Sequence, residues 1–329
     1  MPQDTVFVLP FSPRVSPDVE AARHRSLAWC RRQNLVTHPV DEQRFLRWDI
    51  AGLMATWCPG ASRDQLDLTV DAVVVATFLD DHIDSPLADQ PDQVDVVCRD
   101  FTAVIASHGS SPPHAGPLVT AFAEVWRRLA HGATPDWLER TGQHWRWYIG
   151  AYTQEADNRA HRRVPTRAEH FALRRRSGFV YAMLDLSQKA YGFELPHHLY
   201  AHPVLRRMLD ITADVVDTLN DVHSLEKEES RGDLHNLVLV IEHEQGCDRR
   251  TSIREIQRMI TSWCEEFRTL ERRLTAPGAG QDAEVASRMA DAMRTAMSGY
   301  LHWSRTCARY SRLVPPGESA LVTDLLKEH

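Results

Sequence analysis

The sequence predicts an all-α fold, on three observations. Apolar residues recur at helical spacing through most of the 329 residues. The breaks between these stretches, PGAS, SSPPHAG, GATP, ELPHH and APGAGQ, are short and rich in proline or glycine, as connections between packed helices are. Turn signals are too sparse for a sandwich of short strands, and no repeat has a solenoid period. With 43% apolar residues and no stretch that reads as an interdomain linker, the chain is expected to form one helical domain over residues 1–329.

The elements follow in order. Ser16, Pro17 and Asp18 offer a capping hydroxyl, a first-turn proline and an acid ahead of a helix that runs to about Asn34. A second helix is expected over 41–57. Ser62 and Asp64 open the third, whose apolar run VDAVVVAT leads into FLDDHID at residues 78–84. Further helices are expected over about 91–107, 117–131, 135–159, 166–190, 203–230, 234–244, 251–274 and 281–311. Residues 73–79 and 235–241 are apolar nearly all round, which suits helices in the centre of a large bundle.

Composition narrows the function. A formal charge of −7 leaves no basic surface for nucleic acid or an anionic membrane, so neither is expected as a partner. The six cysteines, Cys30, Cys58, Cys98, Cys247, Cys264 and Cys307, form no Cys-x-x-Cys pair, which argues against a zinc site or a disulfide framework and for reduced thiols in a cytoplasm. TVFVLPF is too short for a secretory apolar region and no later run approaches membrane-spanning length. An apolar substrate would have to be handled in a pocket.

FLDDHID raises a physical question, because it ends an apolar helix with three like charges. On a helix Asp80 and Asp84 are four residues apart and Asp81 and Asp84 three apart, so the three are expected to reach one rim. Each such like-charge pair costs about 0.2–0.5 kcal/mol even when exposed. A divalent cation would relieve this, and oxygen ligands without cysteine or paired histidine suit magnesium or manganese. In LNDVHSLEKE, Asn220, Ser224 and Glu228 follow at i, i+4 and i+8, aligning an amide oxygen, a hydroxyl and a carboxylate on one ridge. Two oxygen clusters suggest several magnesium ions gripping an anion such as a diphosphate, with Lys227 and nearby arginines as donors.

Each motif also has a bland reading. Acidic clusters at helix ends are usually solvated, Asn220 and Ser224 could be capping or surface residues, and the run RRRS at 174–177 could be a solvated face. The seventeen histidines give no metal site: His198 and His202 lie in a proline-flanked turn region, and His82 and His223 sit off the ligand lines. Glu194-x-x-His197 contains Pro196 and does not fit a di-iron bundle.

In this order and spacing the motifs resemble the bacterial class I terpene synthases (terpene cyclases), and the similarity extends over almost the whole chain. The aspartate-rich motif of that family matches Asp80, Asp81 and Asp84, and its Asn/Ser/Glu metal triad matches Asn220, Ser224 and Glu228. Arg174, 46 positions ahead of Asn220, stands where the family has its diphosphate sensor, followed by Ser177 as linker residue and Gly178 as effector. Arg309 and Tyr310 in CARYSRL are similar to the family's diphosphate-binding pair, and PFSPRVSPDVEAARHRSLAW looks like its N-terminal segment.

The resemblance implies a single-domain helical bundle with a central apolar pocket and three Mg2+ ions, with Mn2+ as the alternative. Its reaction would ionise and cyclise a linear prenyl diphosphate, with Arg174, Lys227, Arg309 and Tyr310 on the leaving group. Val73, Ala76, Thr77 and Trp303 are the expected pocket residues. The small side chains at 73, 76 and 77 leave room for a C20 chain, whereas the commonness of C15 cyclases favours farnesyl diphosphate; the expectation is C15, with geranylgeranyl diphosphate next. A homodimer is left open. Against a chain-elongating prenyltransferase stands the triad, where that enzyme would carry a second aspartate-rich motif. A magnesium-dependent helical phosphohydrolase and a noncatalytic scaffold are the remaining alternatives.

Overall fold

Prolines, capping side chains and left-handed residues decide where the helices begin and end. The computed structural model describes residues 4–83, 90–230, 232–275, 281–307 and 309. Their helices are α1 (Val19–Arg32), α2 (Pro39–Trp48), α3 (Ile50–Trp57), α4 (Arg63–Ile83), α5 (Pro91–Ala106), α6 (Pro117–Ala130), α7 (Pro135–Ala160), α8 (Arg167–Ser177), α9 (Val180–Tyr191), α10 (His197–Tyr200), α11 (Pro203–Ser230), α12 (Leu237–Gln245), α13 (Arg249–Leu274) and α14 (Gln281–Thr306). No β-strand occurs among the described residues. Proline occupies the first turn of α2, α5, α6 and α7, where no intrahelical amide bond is lost. Thr166 and Glu169 close a reciprocal capping box on α8, and the side chains of Thr134, Asn236 and Asp248 cap α7, α12 and α13.

Two expected helices are divided. The segment 41–57 breaks at Asp49, which adopts left-handed φ 50° and ψ 47°. Its carboxylate accepts the Gly52 amide at 3.1 Å and takes Arg23 bidentately, with both bonds at 2.8 Å, so tertiary pairing fixes the break. The segment 166–190 breaks at Gly178 and Phe179, the latter at φ 64°. Shifts elsewhere are smaller. Ser16 accepts the Asp18 amide outside α1, so that helix starts at Val19. Asn236 as cap moves the start of α12 to Leu237, and the short α10 was not expected.

At the centre α4 and α11 are buried along most of their length. Around α4 pack α1, α3, α6 and α9; around α11 pack α8, α12, α13 and α14. The helices α3 and α14 approach closely because position 299 has no side chain: a Cβ there would lie 2.3 Å from the Thr56 carbonyl oxygen. The Thr56 hydroxyl donates to the Gly299 carbonyl at 3.1 Å. Phe101, Phe122, Trp126 and Trp145, all fully buried, fill the space between α5, α6 and α7. Cys30, Cys58, Cys98, Cys247 and Cys264 are free thiols, and no described helix is long and apolar enough to cross a membrane.

Candidate active site

Seven of these helices converge on a cavity of about 140 Å3. From α4 come Val73, Ala76, Thr77 and Asp80, at i, i+3, i+4 and i+7, which is one helical face. Ile50 and Leu53 of α3, Met183 of α9 and Val216 of α11 add apolar wall. Tyr148, Phe179, Tyr300 and Trp303 contribute aromatic rings, with Tyr148 and Phe179 at 4.6 Å between centroids. The four residues expected from sequence to line a pocket, Val73, Ala76, Thr77 and Trp303, border this one cavity. Trp303 is fixed by its indole N–H, which donates to the Asp49 carbonyl at 2.9 Å, so the break in the 41–57 segment also sets a cavity wall.

Polar groups stand one turn beyond the apolar wall on both central helices: Asp80 after Ala76 on α4, and Asn220 after Val216 on α11. Asp80 is partly exposed and accepts from Tyr152 at 3.2 Å and from Arg309 at 3.3 Å. The Arg309 guanidinium also lies over the Trp48 ring at 5.3 Å. Asp81 is buried and is not among the cavity-lining residues, which departs from the expectation that Asp80, Asp81 and Asp84 share one rim. Neighbours on a helix diverge by about 100°, so Asp80 and Asp81 face different ways. Asp84 lies outside the described residues, as does Tyr310.

On α11 the Asn220 side chain is held from both sides, its oxygen accepting from Arg174 and its N–H donating to Tyr300 at 2.8 Å. Ser224 donates to the Asn220 carbonyl at 2.7 Å, leaving its oxygen lone pairs unused by that bond. Glu228 accepts from Asn236 at 2.8 Å. Desolvation, with repulsion from Asp233 and Asp221, pushes the Glu228 carboxyl up to about 8. Asp80, Asn220, Ser224 and Glu228 are hard oxygen donors, and Asp80 and Asn220 border the same cavity, so this donor set fits a divalent cation. No three His, Cys, Asp or Glu side chains form a ready cage among the described residues; in the second donor set an amide and a hydroxyl are two of the three donors. Lys227 is half-buried in the last turn of α11 and does not line the cavity.

Arg174 crosses from α8 to α11. Its Nε donates to Asp221 at 3.0 Å while its Nη2 meets Asn220. Burial works to raise the Asp221 carboxyl, but Arg174, His170 at 3.0 Å and the Leu237 amide at 2.9 Å outweigh it and hold the group below its usual range. The arginine run is therefore no solvated face throughout: Arg175 pairs bidentately with Asp214 at 2.7 Å, and only Arg176 is exposed, reaching Gln154. Ser177 and Gly178 border the cavity at the α8–α9 break. A Cβ on Gly178 would lie 1.9 Å from Asp217 Oδ1, so the Asp217 carboxyl is seated against the glycine.

Sequence reasoning passed over Asp217, Asp221, His170, Tyr148, Tyr152 and Tyr300. One signal was available for two of them: Asp210, Asp214, Asp217 and Asp221 form a single stripe on one face of a helix, which calls for cationic partners where that face is buried. A larger cleft of about 550 Å3 is bordered by Arg14, Glu284, Arg288, Asp291 and Arg294. Those five residues are charged and partly paired with one another, and neither Asp80 nor the Asn220 line borders this cleft.

Residues 71–266 match the family described as terpene synthase family 2, C-terminal metal binding. The chain is 34% identical over 317 residues to pentalenene synthase of Streptomyces exfoliatus, covering 94% of each chain. It is 32% identical over 306 residues to 7-epi-alpha-eudesmol synthase ((2E,6E)-farnesyl diphosphate cyclizing) of Streptomyces viridochromogenes, covering 92% of this chain and 89% of that one. The crystal structure of linalool/nerolidol synthase from Streptomyces clavuligerus superposes with a TM-score of 0.84 at 28% identity, over 91% of this chain and 100% of that one.

Proposed function

Because the chain belongs to the bacterial class I terpene synthases, we propose that it ionises and cyclises farnesyl diphosphate, releasing diphosphate and a cyclic terpene hydrocarbon or alcohol. The observation that carries this reading is one cavity with aliphatic and aromatic walls whose border also includes Asp80, Asn220, Arg174 and Arg309. The C15 substrate draws support from the eudesmol-forming relative, which cyclises (2E,6E)-farnesyl diphosphate. The small side chains of Val73, Ala76 and Thr77 favour geranylgeranyl diphosphate as the second reading.

Three Mg2+ ions are proposed, held by Asp80 with Asp84 of the same motif, and by Asn220, Ser224 and Glu228. Bound there, the metal supplies Lewis-acid stabilisation of the leaving diphosphate. Arg174 and Arg309 then turn their guanidinium donors to the diphosphate, joined by Lys227 and Tyr310. Ser177 and Gly178 couple that movement to the cavity through the α8–α9 break. The rings of Tyr148, Phe179, Tyr300 and Trp303 present π faces to the allylic cation, and the enclosed apolar wall keeps water from quenching it early.

The test is incubation with magnesium and, separately, geranyl, farnesyl and geranylgeranyl diphosphate, followed by gas chromatography and mass spectrometry of hexane extracts. A cyclic product from farnesyl diphosphate is expected. A cyclic product from geranylgeranyl diphosphate alone would move the substrate to C20, and no product from any of the three would overturn the reading.

A further inference from the structure

We propose that Asp217 is a product-determining residue of the cavity, its carboxyl presenting an oxygen acceptor to the reacting hydrocarbon beside Gly178. This rests on the cyclase reading above and adds a residue that neither the metal sites nor the diphosphate requires.

The partners along α11 single it out. Of the four aspartates in the stripe, Asp214 pairs with Arg175, and Asp210 lies 3.8 Å from the same guanidinium and accepts from the Tyr181 hydroxyl. Asp221 is surrounded by Arg174, His170 and the Leu237 amide. Asp217 lies between these two arginine pairings, is 4% exposed, and its Oδ2 has no hydrogen-bond partner. Leaving a buried carboxyl oxygen unpaired is destabilising, so the position is not explained by stability. Arg174 and Arg175, which pair with the aspartates one turn either side of it, are both committed to those other carboxylates.

Placement gives the oxygen a use. Asp217 borders the cavity with its neighbours Val216 and Asn220, and the hydroxyl of Ser177, which precedes Gly178 in the chain, is likewise buried without a partner. The missing Cβ of Gly178 lets the carboxyl seat at that spot, since a side-chain carbon there would come within 1.9 Å of Oδ1. Desolvation pushes this carboxyl well above the usual carboxylate range, with Arg174 pulling the other way, so its proton is held tightly. A fixed acceptor in a low-dielectric, water-poor cavity stabilises whichever cationic carbon lies nearest and leaves remoter ones unaffected. It therefore biases which ring closure or hydrogen loss ends the reaction, whereas ionisation itself depends on the groups around Asp80 and Asn220.

The experiment uses the full chain, magnesium and farnesyl diphosphate, scoring diphosphate release and the product mixture separately. Asp217→Leu removes the acceptor at similar size. Its ratio of main product to largest by-product is expected to change by about tenfold, which corresponds to about 1.4 kcal/mol between competing barriers, with diphosphate release still measurable. Asp217→Asn keeps an oxygen and is expected to shift the mixture less. A wild-type mixture from the Leu variant, or identical shifts from Leu and Asn, would overturn the proposal. If the Leu variant does not fold, Asp217→Ala replaces it, and an unchanged mixture again overturns the role. Failure of the wild-type chain to release diphosphate would instead sink the cyclase reading, so the two failures are distinguishable.

Discussion

Asn220 is the residue on which the two sides of the site meet, since its amide oxygen takes Arg174 while its N–H holds Tyr300. Asn220→Ala should lower product formation by about 100-fold or more, the scale for losing one group that stabilises a developing charge, with helix content by circular dichroism unchanged. Near-normal product would remove Asn220 from the machinery. Gly178→Ala forces a methyl onto Asp217 and should lower the thermal midpoint; in an Asp217→Ala background the same change should be milder, a coupling that a double-mutant cycle reads directly. Much of this site was legible because i, i+4 and i+8 spacing aligns side chains in any helix, and Asn220, Ser224 and Glu228 need no tertiary information. The partners of that line were not legible. Nothing in the order of residues says that His170 and the Leu237 amide converge on Asp221, or that Asp81 turns inward while Asp80 borders the cavity.

At the scale of the element, helical content was legible from periodicity and proline, but the two breaks that shape the cavity were not. Asp49 and Phe179 are ordinary helix residues by pattern, and their left-handed backbones accompany contacts formed from distant segments: Arg23 and Trp303 for the first, the cavity wall for the second. Close helix approach is equally a tertiary property. Gly299→Ala would drive a methyl into the Thr56 carbonyl and push α14 from α3, so a loss of about 1–3 kcal/mol is expected by denaturant unfolding, as for an overpacked core. An unchanged midpoint would mean that the two helices can separate freely, and Gly299 would then be no constraint.

For the whole molecule, a buried acid on α4 gives stability a pH dependence away from the cavity. Asp71 is held by Arg128 at 2.8 Å, yet burial dominates and pushes its carboxyl up to about 7. An acid raised in the folded state contributes its stabilisation below the unfolded value near 3.9, and loses it as pH rises towards about 7. The wild-type melting temperature relative to Asp71→Asn should therefore fall between about pH 4 and pH 7 and level off above. A difference that stays flat across that window would show that Arg128 keeps Asp71 ionised throughout. The cavity border carries a second consequence. Arg174 rests on Asn220 and Arg309 on Asp80, so each proposed metal position already has an internal cation attached to one of its donors. An incoming ion must displace these guanidinium groups, and pyrophosphate offers them somewhere else to go. By linkage each ligand then strengthens the other's binding, and calorimetry should find magnesium bound more tightly with pyrophosphate present than the affinity of free pyrophosphate for the ion accounts for. Independent binding would mean that the arginines and the metal do not share those oxygens.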